Sequence, residues 1–107
     1  MSEFERRKKG FEEKFAHDEE MRFKADARRN KLLGLWAAEK LGKTGDAADA
    51  YAREVVAADF EEAGHEDVFR KIRGDFDAAG VDQSDHQIRR TMDELLITAM
   101  EQLQNEG

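Results

Sequence analysis

Residues 84–104 of the chain read SDHQIRRTMDELLITAMEQLQ, a stretch that contains a helix start signal followed by a helical apolar stripe. Ser84 and Gln87 have the spacing of a capping box, in which each side chain accepts a hydrogen bond from the other residue's backbone N–H. The apolar residues recur every three or four positions, which places them on one face of a helix. They are Ile88, Met92, Leu95, Leu96, Ala99, Met100 and Leu103. The stretch therefore predicts a helix from Ser84 to about Gln104.

Three more segments show the same periodicity and are separated by glycines and polar residues. The predicted helices cover about 18–41, 46–60 with Asp46 as N-cap, and 65–79. Their stripes are Met21, Ala25, Leu32, Leu33 and Trp36 in the first, Ala47, Tyr51, Val55 and Ala58 in the second, and Val68, Phe69, Ile72, Phe76 and Ala79 in the third. No segment alternates with a period of two, so the predicted fold class is all-α, with a four-helix bundle over residues 18–107.

Composition limits both the size of the core and the class of partner. A chain of 107 residues forms one domain, and 15 of its apolar residues are alanine, which favours helices but fills little volume. It has no cysteine, which excludes a disulfide scaffold and fits a reducing cytoplasm. No apolar run is long enough to insert directly into a membrane. Residues 1–45 carry a net charge of +3 and residues 46–107 a net charge of −10, and this acidic surface disfavours nucleic acid.

Residues 1–17 are interpreted as a separate N-terminal arm, mobile and partly helical. Phe4, Phe11 and Phe15 fall within about 20° of one line on a helix, whereas the stripe that begins at Met21 is rotated about 60–100° from that line. Gly10 weakens helix formation by about 1 kcal/mol relative to alanine. A short, highly charged arm with three phenylalanines on one side is typical of a segment that folds into a partner's groove, and folding back onto the bundle is the competing interpretation.

Gly42-Lys43-Thr44 suggests a phosphate-binding loop, but the full pattern requires a glycine where the chain has Ala37. A helix-ending glycine followed by a turn is the simpler interpretation. It leaves open a nucleotide site at Lys43 and Thr44, and hence an alternative function as a small helical protein that binds a nucleotide or metabolite.

The sequence contains no motif for a metal site or for nucleophilic catalysis. The three histidines, His17, His65 and His86, have no second histidine at helical spacing, so no metal site is predicted. No serine, histidine and acid form a nucleophile motif. We therefore expect a protein that is not an enzyme and that needs no cofactor.

Four blocks of sequence resemble the zeta-type inhibitor subunit of the alphaproteobacterial F-type ATP synthase. They read KFAHDEEMRFKA (residues 14–25), ARRNKLLGLWAA (27–38), YAREVV (51–56) and DFEEAGHEDVFRK (59–71). The resemblance implies a four-helix bundle with a mobile inhibitory arm, located in the cytoplasm on the membrane-bound synthase. The arm would enter the catalytic head between the alpha and beta subunits, near the rotor subunit gamma, and block rotation in the hydrolysis direction.

On that resemblance the partner-binding residues belong to the arm. They are Phe4, Arg6, Arg7, Lys8, Phe11, Lys14, Phe15 and His17. The function it implies is regulatory inhibition of ATP hydrolysis by steric block, which requires no catalytic residue in this chain.

Overall fold

The structure, a computed structural model, describes residues 19–60 and 66–106, and these form a bundle of α-helices. The four helices are α1 (Glu19–Lys40), α2 (Gly45–Ala58), α3 (Glu66–Ala79) and α4 (Asp85–Glu106). The predicted all-α class is confirmed, and the predicted helix bounds differ from the observed ones by only a few residues. Helix α1 packs against both α2 and α4, and α3 completes the bundle from the other side of these two.

The helix ends follow from local hydrogen bonds that the sequence specifies. At the start of α4, the Gln87 N–H donates to Ser84 Oγ at 3.1 Å and the Ser84 N–H donates to Gln87 Oε1 at 2.8 Å, which confirms the capping box. After α1, Gly42 has a φ of 77°, and the Lys43 N–H donates to the Ala38 carbonyl at 2.8 Å. This Schellman turn needs a left-handed residue, which glycine provides without strain.

The start of α2 differs from the prediction. Thr44, with an extended backbone, is the N-cap residue, and Asp46 lies instead in the first helical turn. There its carboxylate still faces the positive end of the helix dipole. The helix ends at Ala58 and not at Phe60, because the N–H groups of Asp59 and Phe60 bond three residues back, to Val56 and Ala57. Phe60 thus lies beyond the helix.

The main core lies where the apolar faces of all four helices meet. Its fully buried members include Leu33, Val55, Ile72, Phe76 and Ile88, one or more from each helix. Most of the predicted stripe residues are at least half-buried. Two are not: Ala47, in the first turn of α2, and Ala79, the last residue of α3, are exposed. Ile97, which no stripe included, is buried.

A second apolar cluster joins the start of α1 to the end of α4. Ala25 is buried there against Leu96, Met100 and Leu103, with Met21 partly buried beside them. Arg28 clamps the same two helix ends, with Nη1 donating to Gln102 Oε1 at 2.9 Å and Nη2 donating to the Glu106 carboxylate at 3.0 Å. The N-terminal turn of α1 is thereby fixed to the bundle, and the arm of residues 1–17 joins the chain next to this fixed end.

Helices α1 and α2 cross closely at Gly34. A Cβ atom at this position would lie 2.6 Å from the Cα of Ala52 and 3.3 Å from the Cβ of Val55. The first distance involves backbone, so it can lengthen only if the helices separate. Small residues at positions 34 and 52 therefore set the distance between α1 and α2.

We expect Gly34→Ala to lower the free energy of unfolding by about 2 kcal/mol, because forced separation of packed helices outweighs the better helix propensity of alanine. Gly74→Ala in α3 is the matched control, since nothing lies within 4 Å of a Cβ at Gly74. That change should raise stability, by up to about 1 kcal/mol. Urea titrations of both variants measure the two effects, and a shift of the same sign in both would contradict the close crossing.

Candidate functional site

The residues predicted to bind a partner precede the described part of the chain. Phe4, Arg6, Arg7, Lys8, Phe11, Lys14, Phe15 and His17 all lie outside the described residues. The structure defines the platform that carries them, beginning at Glu19, the first residue of α1. The surface next to Glu19 is the part of the bundle that lies closest to the arm along the chain.

The first turns of α1 have two apolar faces. One face carries Met21 and Ala25, which pack against α4 in the second cluster. Phe23 lies about 160° around the helix from Ala25, on the side of α2. The sequence stripe included only the first of these faces, so Phe23 was not predicted as a surface residue of interest.

Phe23 and Phe60 form an exposed aromatic patch, called here the Phe23–Phe60 patch. Their side chains are 58% and 67% exposed, and their ring centroids lie 6.2 Å apart with the planes tilted by 42°. They are the exposed large apolar side chains of the described residues. Two exposed phenylalanines that contact each other form one continuous apolar surface, and exposed apolar patches rimmed by polar residues commonly mark interaction sites.

The patch opens into a groove between α1 and α2, called here the α1–α2 groove. A small depression beside the two rings is lined by Ala27 and Val56 and also by the polar residues Asp26, Asn30 and Asp59. Val56 also lines the adjoining depression, of 450 Å³, whose other walls are Ala52 and the charged residues Lys31, Asp49 and Arg53. The groove therefore extends from the patch to Lys31, about 12 Å along α1.

Two buried polar residues lie on α1 near this groove. Arg29 is 2% exposed and Asn30 is 1% exposed, and Arg29 Nε donates to Asn30 Oδ1 at 2.7 Å. Burial lowers the pKa of Arg29, while the carboxylates of Asp26, Asp59 and Asp93 act in the opposite direction. The positive charge of Arg29 on α1 is therefore attracted to Asp59 at the end of α2 and to Asp93 on α4. We interpret it as a structural group, because its surroundings balance it with acids.

The turn at Lys43 and Thr44 confirms the simpler interpretation of the Gly42-Lys43-Thr44 motif. The Lys43 N–H already bonds the Ala38 carbonyl, so it does not point into a phosphate cradle. Both residues are exposed. Lys43 nevertheless lines a 360 Å³ pocket together with Tyr51, Lys71 and Asp75.

This pocket has a mixed charge. The Tyr51 O–H donates to Asp75 Oδ2 at 2.7 Å, and Lys71 Nζ donates to the same oxygen at 3.1 Å. Burial and the Asp75 carboxylate raise the pKa of Tyr51 well above its usual value, so the phenol stays protonated. Glu54 also lines the pocket, so two lysines face two carboxylates. That balance gives an anionic phosphate group little electrostatic attraction.

Neither a metal cluster nor a membrane span is present in the part of the chain described here. In residues 19–60 and 66–106, no three side chains of the kinds that ligate metals are grouped closely enough to hold an ion. Over the same ranges, no helix is both long and apolar enough to cross a bilayer.

Comparisons with known proteins agree on the fold and add a family. The family model described as ATPase inhibitor subunit zeta matches residues 1–102, which include the arm and nearly all of the bundle. One similar solved structure, a solution NMR structure of a protein, is 56% identical to this chain. The match covers 81% of this chain and 99% of that one, with a TM-score of 0.72. Among curated proteins, none matches.

Proposed function

Because this chain belongs to the ATPase inhibitor subunit zeta family, we propose that it regulates an F-type ATP synthase by inhibiting its hydrolysis of ATP. The observation that carries the proposal is the family match over residues 1–102, which takes in the arm as well as the bundle.

The arm is the inhibitory element in this proposal, and the bundle holds it. The described residues of α1 to α4 already form two apolar clusters among themselves. We therefore assign Phe4, Phe11 and Phe15 to a partner. As a helix, the arm places these rings on one side, where they fit the kind of groove that accepts an amphipathic helix.

The proposed partner is the catalytic head of the synthase. The arm inserts between the alpha and beta subunits near gamma and stops rotation in the hydrolysis direction by occupying space. Such a block requires affinity and bulk at the interface, and no proton transfer or bond cleavage by this chain. Arg6, Arg7, Lys8, Lys14 and His17 are assigned to polar contacts around the apolar stripe.

Single truncations in the arm test this assignment. We expect Phe11→Ala and Phe15→Ala each to weaken inhibition of the cognate catalytic head about thirtyfold, the effect of about 2 kcal/mol for an interface anchor. Glu13→Ala is the matched control, because Glu13 lies on the opposite side of an arm helix. ATP hydrolysis is measured against inhibitor concentration for the four proteins. Equal potency of Phe11→Ala and Glu13→Ala would refute the assignment.

The alternative function is a nucleotide- or metabolite-binding regulator with its site at Lys43 and Thr44. Its support is the pocket that Lys43 lines with Lys71, and the carboxylates of Glu54 and Asp75 in the same pocket weigh against a phosphate ligand. Titration with ATP, followed by amide chemical shifts, distinguishes the two functions. Shifts at Lys43 and Thr44, with no effect of the chain on ATP hydrolysis, would favour the alternative.

A further inference from the structure

We propose that the α1–α2 groove is a docking site for the chain's own N-terminal arm. The inhibitory segment would then be bound to the bundle when no catalytic head is present. Contact between the arm and the groove involves this chain alone and needs no other protein. Only its consequence for inhibition rests on the proposed function.

The first support is the exposed apolar surface at one end of the groove, which is bordered by charged side chains. The rings of Phe23 and Phe60 face water at one end, and Ala27, Val56 and Ala52 continue the surface toward Lys31. None of these five side chains except Ala52 is buried in the bundle. An apolar helix face laid along the groove would remove both exposed rings from water, which is favourable in proportion to the area covered.

The second support is the position and length of the arm. The arm ends at residue 17, immediately before α1, and Phe23 lies little more than one helical turn after Glu19. A reversal within residues 16–18 is long enough to join two antiparallel helices. It would place Phe15 opposite about residue 20, Phe11 beside Phe23, and Phe4 near Lys31. The apolar side of the arm, about 16 Å long as a helix, thus matches the groove of about 12 Å.

The third support is the covalent connection. A segment tethered this close to its site has an effective concentration in the millimolar range, so a weak apolar contact suffices to populate the docked form. A second copy of the chain, or a separate partner, would have to reach the groove from solution without that advantage.

Docking in the groove would compete with inhibition. Phe4, Phe11 and Phe15 cannot face the groove and the catalytic head at once, so the apparent affinity for the head falls by the fraction of undocked arm. Removal of the groove contact should therefore strengthen inhibition. Removal of an arm ring weakens it, but by less than the about thirtyfold expected for an undocked arm, because the same change also releases the arm from the groove. This opposite sign separates a docking groove from a surface that itself binds the head.

A paramagnetic label on the arm tests docking directly. The full-length chain has no cysteine, so Glu13→Cys provides a single attachment point for a nitroxide on the side opposite the phenylalanines. We expect broadening of the amide signals of Ala52 and Val56, which the arm reaches only through space. Gly80, in the turn after α3, is the reference position. The double change Phe23→Ala/Phe60→Ala, or Phe11→Ala alone, should abolish the broadening.

Two outcomes of the label experiment would overturn the proposal. One is unbroadened Ala52 and Val56 signals in the otherwise unchanged chain. The other is the same broadening when label and observed nuclei are on different molecules, because a second copy would then occupy the groove. Both outcomes are decided without ATP synthase, so they remain separate from any failure of the proposed function.

Inhibition measurements supply the second readout. We expect Phe23→Ala/Phe60→Ala to inhibit the cognate catalytic head at a concentration about three- to tenfold lower than the unchanged chain, as for an arm docked about 70–90% of the time. Its thermal melt, recorded in parallel, shows that the bundle is intact. Weaker inhibition by the double variant would assign the patch to the interface with the head and overturn the proposal.

Discussion

Replacement of Phe76 by alanine is expected to lower the free energy of unfolding by about 3–5 kcal/mol, as for truncation of other buried aromatic residues. Phe76 is fully buried in the main core, with its ring 5.7 Å from that of Trp36 between centroids. A small domain has only about 5–15 kcal/mol of stability, and this alanine-rich core suggests the lower end. A thermal melt followed by circular dichroism should show a midpoint lower by at least about 12 °C.

Phe60→Ala is the matched control for that measurement. It removes the same ring from a site that is 67% exposed, and surface changes usually alter stability by less than about 0.5 kcal/mol. We therefore expect a melting midpoint close to that of the unchanged chain. Similar destabilisation by both substitutions would mean that burial of Phe76 does not hold the bundle together.

Deletion of residues 2–17 is expected to abolish inhibition of ATP hydrolysis and to leave a cooperatively folding bundle. The truncated chain keeps both apolar clusters, the capping box at Ser84 and the Arg28 clamp between α1 and α4. It loses every residue assigned to the interface, from Phe4 to His17. Circular dichroism melts and hydrolysis assays on the same preparation measure the two effects.

Two results would contradict this expectation. Loss of cooperative unfolding would show that the arm is part of the core, and the domain boundary near residue 17 would then be wrong. Undiminished inhibition by the truncated chain would assign inhibition to the bundle. The Phe23–Phe60 patch would then be the candidate surface for contact with the catalytic head.

The sequence was sufficient to predict the parts of the fold that depend on neighbouring residues. Ser84 and Gln87 define their helix start through two hydrogen bonds within one turn. Gly42 ends α1 because the left-handed conformation there favours glycine. Periodicity found most of the core, since a helix with a regular apolar face buries that face. It was wrong for Ala47 and Ala79, which lie near helix ends, because periodicity does not say how far along a helix its apolar face is covered.

Features that depend on how helices pack were not predictable from one sequence. Arg29 lies in a charged segment, which by itself indicates an exposed residue. It is nevertheless buried, because carboxylates from outside α1, Asp59 and Asp93, balance its charge. The close crossing at Gly34 depends on Ala52, 18 positions away. Phe23 and Phe60 resemble core residues by type, and only the packing shows that they face water. The assignment of the arm residues to a partner stays a prediction.

The most direct measurement of the central claim is ATP hydrolysis by the cognate catalytic head in the presence of the purified full-length chain. The account predicts that hydrolysis falls with increasing chain concentration to a low plateau, and that the chain lacking residues 2–17 leaves the rate unchanged over the same range. Undiminished hydrolysis at saturating full-length chain, with binding to the head verified by co-sedimentation, would contradict the claim that this protein is an inhibitor.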